Sequence, residues 1–255
     1  MTANANVSTR WLDRVWSIGI HRPEKRSALD EAMFDALAKA LEAPQNDPEA
    51  GAVLLHGTAD CFCAGHDLAA FETLWPQPAD GAVVRLLNAL VRQKKALVAA
   101  VCGPAVGIGA TMLLHADYVV AGQSATFRFP FVDLDIVPEA GATALLARRV
   151  GDLCARDWLL SGRTFDAEEA LHRGFVSTVE PDADVLPVAA RYAMKLADKP
   201  DGVVSAIRNL LVEGATRTAE AAILAELNGL NTRIPEVIAS QKVSVHRRSE
   251  AKQTD

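Results

Sequence analysis

Basic residues are in deficit in this chain: 26 lysines and arginines stand against 32 aspartates and glutamates, a formal net charge of −6. No basic stripe is present to follow a phosphate backbone, so nucleic acid is not expected as a partner. The short cluster His246-Arg247-Arg248 reads as part of a solvated tail. Cysteine is scarce, with four residues at 61, 63, 102 and 154. Cys61 and Cys63 are too close for zinc-ligand spacing, and no second pair follows. They read as small buried residues in a reducing compartment, and no metal is expected. The first ten residues lack a hydrophobic signal core, and no apolar run is long enough to cross a bilayer. The expectation is a soluble, cytoplasmic protein without a membrane partner.

What is present is enough for a large core. Half of the 255 residues are hydrophobic, which suits one large domain, or one with a small appendage. Residues 15–20 alternate as a strand, and a turn follows through His21-Arg22-Pro23-Glu24-Lys25-Arg26-Ser27. Asp30 can cap a helix carrying Met33, Phe34, Leu37 and Leu41, which Pro44 and Pro48 end. Apolar runs at 52–56, 97–101 and 118–121 predict buried strands, with helices over 81–96 and 107–115 between them. Strands alternating with helices predict parallel β/α layers. After Gly141 the pattern is mostly helical, with helices over 141–161, 167–173, 186–197, 202–212 and 219–232 and a strand at 175–179. The expected organisation is an α/β core over residues 1–195 and a helical region over 196–255.

Two segments carry the chemistry. The first is Cys61-Phe62-Cys63-Ala64-Gly65-His66-Asp67-Leu68, and the second is Cys102-Gly103-Pro104-Ala105-Val106-Gly107-Ile108-Gly109-Ala110. Each follows a buried strand and places glycine where backbone must approach something closely. Two backbone N–H groups aimed at one point stabilise negative charge developing on a carbonyl oxygen.

With these segments in view, the chain resembles the crotonase (enoyl-CoA hydratase/isomerase) superfamily from about residue 15 to 235. The resemblance also rests on Arg22-Pro23-Glu24-Lys25-Arg26-Ser27-Ala28-Leu29, His115-Ala116-Asp117, Ala125-Thr126-Phe127, Gly162-Arg163 and Ala167-Glu168-Glu169-Ala170. It implies an α/β spiral of ββα turns with a helical C-terminal trimerisation region, forming a homotrimer or a dimer of trimers. It implies an acyl-CoA thioester substrate and no cofactor, coenzyme A being part of the substrate. The thioester oxygen would sit between the N–H groups of His66 and Ile108, with Gly107 shaping the second loop. The imidazole of His66 is given no catalytic role. The coenzyme A pocket would be built from Lys25, Arg26 and Ala28 on the first turn and Ala64, Asp67 and Leu68 on the second. Lys25 and Arg26 also fit a plain solvated turn.

The reaction depends on the acids. Hydratases of the family use two glutamates, and the resemblance places Thr111 and Phe131 at those positions, where both face the substrate. A hydroxyl and a phenyl ring cannot activate water for addition. A carboxylate appears further on, at Glu139 in Ile136-Val137-Pro138-Glu139-Ala140-Gly141. That segment is similar to peroxisomal-type Δ3,Δ2-enoyl-CoA isomerases, whose base is the glutamate of a like stretch. The implied activity moves a double bond from C3=C4 to C2=C3, with Glu139 as base and acid. Phe131, Val132, Ile136 and Val137 are expected to surround it with apolar surface and raise its pKa. Glu139 also suits the first turn of a helix, where an acid meets the macrodipole. Asp133 and Asp135 are rival acids expected to be structural or solvent-facing. Hydration, thioester hydrolysis or dehalogenation, and a non-catalytic binding module stay open as alternatives. Lys242 and Arg247 are weaker candidates for contact with a neighbouring subunit's coenzyme A.

Overall fold

The computed structural model describes residues 4–199 and 201–239. Lys242, Arg247 and the basic cluster at 246–248 lie outside the described residues.

Strands β1 (Val7–Leu12) and β2 (Val15–Ile20) form an antiparallel hairpin. Strand β1 is not expected from the sequence, because only Val7 of its six residues is buried and no apolar alternation marks it. Helix α1 (Glu31–Glu42) begins as expected, with the Asp30 carboxylate accepting from the Met33 N–H at 3.0 Å. Its buried face is Met33, Phe34, Leu37 and Leu41 together with Ala38 and Ala40. Strand β3 (Ala52–His56) follows, then the short α2 (Phe71–Leu74) and α3 (Ala82–Val91). Helix α3 stops well before Ala96, because Ala96 already belongs to β4 (Ala96–Val101).

Strand β5 (Pro104–Val106), helix α4 (Ile108–Thr111), β6 (Tyr118–Gly122) and β7 (Thr126–Arg128) complete the next turns. A 3-10 turn over Met112–His115 extends α4, so the helix expected at 107–115 tightens halfway. The helix expected at 141–161 is two: α5 (Ala142–Val150) and α6 (Asp152–Ser161). Gly151 divides them at φ +85°, a conformation open to glycine and costly for other residues. Then come β8 (Thr164–Asp166), α7 (Ala167–His172) and β9 (Thr178–Glu180). Strand β9 starts later than expected, since Phe175 and Val176 turn into the core instead. Helix α8 (Asp182–Ala197) starts at Asp182, ahead of the expected Leu186, with Asp182 and Asp184 in its first turn. The two helices expected beyond it are one, α9 (Asp201–Ala239).

The strands form two sheets, ordered β1-β2-β3-β4-β6-β9 and β5-β7-β8. Pairing in the large sheet is parallel from β2 onward. Successive turns send one strand to the large sheet and the next to the small one: β4 then β5, β6 then β7. The bridges Leu29↔His66 and Cys63↔Ala105 prolong this second column back through the earlier turns. The result is the expected spiral.

The central strands are buried on both faces, which is why they read as continuous apolar runs. Val53, Leu55, Leu97, Ala99 and Val101 face the main core with α1 and α3. Ala52, Leu54, Ala96, Val98 and Ala100 face α8. That helix presents Val185, Ala189, Ala193 and Ala197 at four-residue spacing, and the small side chains let it lie close to the sheet. Among the described residues no helix is long and apolar enough to cross a membrane.

Candidate active site

The two glycine loops meet beside the second column of strands. Gly65 has φ +98° and Gly107 φ +54°. Cys63 N–H donates to the Pro104 carbonyl at 3.1 Å, and Val106 N–H returns a bond to the Cys63 carbonyl at 2.9 Å. Gly109 must be glycine for the helix that follows, because a Cβ there would stand 2.3 Å from the Cys63 carbonyl oxygen.

Backbone bonds on either side constrain the two N–H groups of interest. Leu29 N–H donates to the Gly65 carbonyl at 2.7 Å, and Asp67 N–H donates to the Leu29 carbonyl at 2.9 Å. The His66 N–H between them therefore points to the side opposite Leu29. Ile108 is the first residue of α4, where an N–H has no intrahelical acceptor.

The His66 side chain is enclosed by rings: Phe34 at 4.5 Å, Phe71 at 5.2 Å and Trp75 at 6.3 Å between centroids. Burial pushes its pKa down to about 3, so the imidazole is neutral. Its Nε2 is buried without a partner.

The first-turn and second-turn residues come together. Arg26, in the left-handed region at φ 51°, accepts at its carbonyl from Ala64 N–H at 3.0 Å. Ala28 is buried against this junction. The Asp67 carboxylate is held by Arg22 at 3.0 Å, lies 4.0 Å from Lys25 Nζ, and accepts from Ala69 N–H at 3.1 Å. Leu68 opens the 3-10 turn that Asp67 caps.

Glu139 is buried, 2 % exposed, rather than pointing into solvent. Thr111, at the end of α4 and fully buried, donates its hydroxyl to Glu139 Oε1 at 2.6 Å. Glu139 Oε2 is buried without a partner. Thr111 lies three positions after Ile108, about 4.5 Å of helix rise, so the carboxyl is tied to the helix whose first N–H has no intrahelical acceptor. Burial raises the Glu139 pKa to about 8; the Thr111 hydrogen bond opposes this and the nearby Glu226 charge adds to it.

The turn after Glu139 is strained and held from two sides. Ala140 has φ +58°, unusual for a residue with a Cβ. The ring Nε2 of His115 lies 2.9 Å from the Ala140 carbonyl. His115 is pushed down to about pH 4 by burial, so it is neutral, and a carbonyl partner assigns its proton to Nε2. From α9, Glu226 accepts from Gly141 N–H at 2.9 Å, Thr143 N–H at 3.2 Å and Thr143 Oγ1 at 2.8 Å. Gly141 has no side chain with which to cap α5, and Glu226 supplies that cap from another helix. Glu226 is not among the residues expected at the site. Its signal is a charged residue at the buried face formed by Ile223, Leu227, Leu230 and Ile234.

Other expectations divide. Phe131 is buried near the turn, but Val132 and Val137 are 47 % and 38 % exposed and do not enclose Glu139. The 131–136 segment turns sharply, with Ile136 N–H bonded back to the Phe131 carbonyl at 3.0 Å, which throws Val132 outward. Asp133 is exposed and paired with Arg128 at 2.9 Å, a structural role. The carboxylate beside Glu139 is Glu226.

The chain is similar to known proteins over most of its length. Residues 12–252 match the family model described as enoyl-CoA hydratase/isomerase. A probable enoyl-CoA hydratase of Mycobacterium tuberculosis is 37% identical over 186 residues, covering 72% of this chain and 70% of that protein. The 1,2-epoxyphenylacetyl-CoA isomerase of Escherichia coli is 32% identical over 213 residues, covering 81% of both. The crystal structure of an enoyl-CoA hydratase/isomerase from Pseudoalteromonas atlantica superposes with a TM-score of 0.88 at 33% identity, covering 97% of each chain. The chain therefore belongs to the crotonase family of enoyl-CoA hydratases and isomerases.

Proposed function

We propose that this protein is an enoyl-CoA isomerase that converts 3-enoyl-CoA to trans-2-enoyl-CoA. The observation that carries the reading is Glu139: a buried carboxyl with one oxygen engaged and the other without a partner. The neighbouring carboxylate, Glu226, has both oxygens committed to the start of α5. One available carboxyl suits a reaction that takes a proton from C2 and returns it at C4. It suits hydration poorly, since that reaction needs a second group to activate water.

On this reading the His66 and Ile108 N–H groups hold the thioester oxygen while the dienolate exists. Glu139 takes the C2 proton and the freed electron pair moves toward the thioester oxygen. The dienolate then collapses, C4 receives the proton, and the double bond lies at C2=C3. A carboxyl with a pKa near 8 is both a stronger base and a usable acid at neutral pH. The exposed Lys25 and Arg26, with Ala28, Ala64, Asp67 and Leu68, form the coenzyme A side of the cleft, and Phe131 and Gly107 the acyl side.

Hydration is the second reading, favoured by a relative named as a probable hydratase. Steady-state rates on a 3-enoyl-CoA and on crotonyl-CoA separate the two. Isomerisation is expected to exceed hydration in kcat/KM by about 10² or more, the worth of one missing general acid–base group. Hydration as fast as isomerisation contradicts the proposal.

A further inference from the structure

We propose that Thr111 is a positioning residue that engages Glu139 Oε1 throughout the reaction and leaves Oε2 as the one atom that exchanges protons with the substrate. The inference rests on the isomerase reading for its chemistry, and on the 2.6 Å contact for its geometry.

The two oxygens of a free carboxylate are equivalent, and rotation about the last side-chain bond interchanges them. Here they are not equivalent. Oε1 accepts from a hydroxyl, while Oε2 is buried with no partner. Thr111 is 0 % exposed, so water cannot replace its hydroxyl. The bond also survives both halves of the shuttle. When Glu139 is ionised, Oε1 accepts as a carboxylate oxygen; when Oε2 carries the proton, Oε1 accepts as a carbonyl oxygen. The proton taken from C2 therefore resides on Oε2, facing away from Thr111, and returns from the same atom to C4. The electron pair released at C2 passes to the thioester oxygen and back, so nothing is oxidised or reduced.

The other groups facing Glu139 cannot take this role. Cys63 is a neutral thiol, its pKa pushed up to about 12 by burial. Glu226 on α9 is an acceptor already occupied by Gly141 and Thr143. A valine at 111 has nearly the same shape and no hydroxyl; a serine keeps the hydroxyl.

The test compares wild type, Thr111→Val and Thr111→Ser as full chains. Carbon-13 in the glutamate carboxyls gives a titration of Glu139, identified by its disappearance in Glu139→Gln. Thr111→Val is expected to move the midpoint upward, because the bond that favours ionisation is lost, and Thr111→Ser to leave it in place. With a 3-enoyl-CoA deuterated at C2, Thr111→Val is expected to lower kcat by roughly 10²-fold, leave KM nearly unchanged, and return less deuterium to C4. Thr111→Ser is expected to restore all three. An unmoved midpoint in Thr111→Val, or unaltered deuterium return, overturns the proposal. A wild-type enzyme inert toward 3-enoyl-CoA contradicts the isomerase reading alone, and the carbon-13 titration still decides whether Thr111 holds Oε1.

Discussion

A Cβ on Gly107 would lie 4.0 Å from the Cα of Gly65, so the two glycine loops meet backbone against backbone. A Cβ on Gly65 would press to 2.9 Å against the Val106 carbonyl oxygen. This contact joins the loops that carry His66 and Ile108, the two proposed oxyanion donors, although they are 42 residues apart in sequence.

The Ile108 amide can be removed with little damage to the helix. Proline is tolerated at the first position of a helix, where its missing N–H had no partner. Ile108→Pro also deletes a buried side chain, so Ile108→Ala is the reference. Relative to Ile108→Ala, Ile108→Pro is expected to lower kcat by about 10²–10³-fold, the worth of one oxyanion donor. Single-turnover kinetics on both variants check it.

Glu139 also links stability to pH. Its folded-state pKa lies near 8, above its ordinary value of 4.5. The folded protein therefore holds a proton that the unfolded chain releases between those values. The resulting stabilisation is complete below pH 4.5 and is lost as pH rises to about 8. Over that window this group lowers stability by at most roughly 1.4 kcal/mol per pH unit. Glu139→Gln cannot ionise, so its denaturant midpoint is expected to fall less steeply from pH 5 to 8 than that of wild type.

Glu226 holds the turn that presents Glu139. Glu226→Ala leaves the Gly141 and Thr143 N–H groups without their cap and is expected to cost about 1–3 kcal/mol. It also frees the strained Ala140 turn, so kcat is expected to fall more than stability alone explains. Thermal melts and rates measured below the melting transition separate the two effects.

The His66 imidazole, neutral and enclosed by rings, is expected to take no part in proton transfer. His66→Phe keeps the backbone N–H and the apolar contacts. The pH midpoints of its kcat/KM are expected to match those of wild type; loss of one limb of the profile would mean the imidazole titrates in the reaction.

Much of the architecture is readable in the chain because the central strands are buried on both faces. Ala52–His56, Ala96–Val101 and Tyr118–Gly122 appear as plain apolar runs, and α1 shows a one-sided buried face at helical spacing. The hairpin strand Val7–Leu12 is hidden because backbone bonds to β2 hold it while its side chains face solvent. Gly151 divides one expected helix by its backbone angle, which composition alone does not fix.

The site is readable in the same uneven way. Gly65, Gly107 and Glu139 stand in local motifs. The bond from Thr111 spans 28 residues and the cap from Glu226 on Gly141 spans 85, and neither separation leaves a periodic trace. The apolar setting expected from Val132 and Val137 fails because both side chains are exposed, Val132 on the turn closed by the Ile136-to-Phe131 backbone bond.

The most direct measurement is the rate at which Glu139→Gln converts a 3-enoyl-CoA to the 2-enoyl product, beside wild type. The account predicts a fall in kcat of about 10²–10⁴-fold, with binding of the CoA ester retained. Isomerisation at an undiminished rate in Glu139→Gln would contradict it.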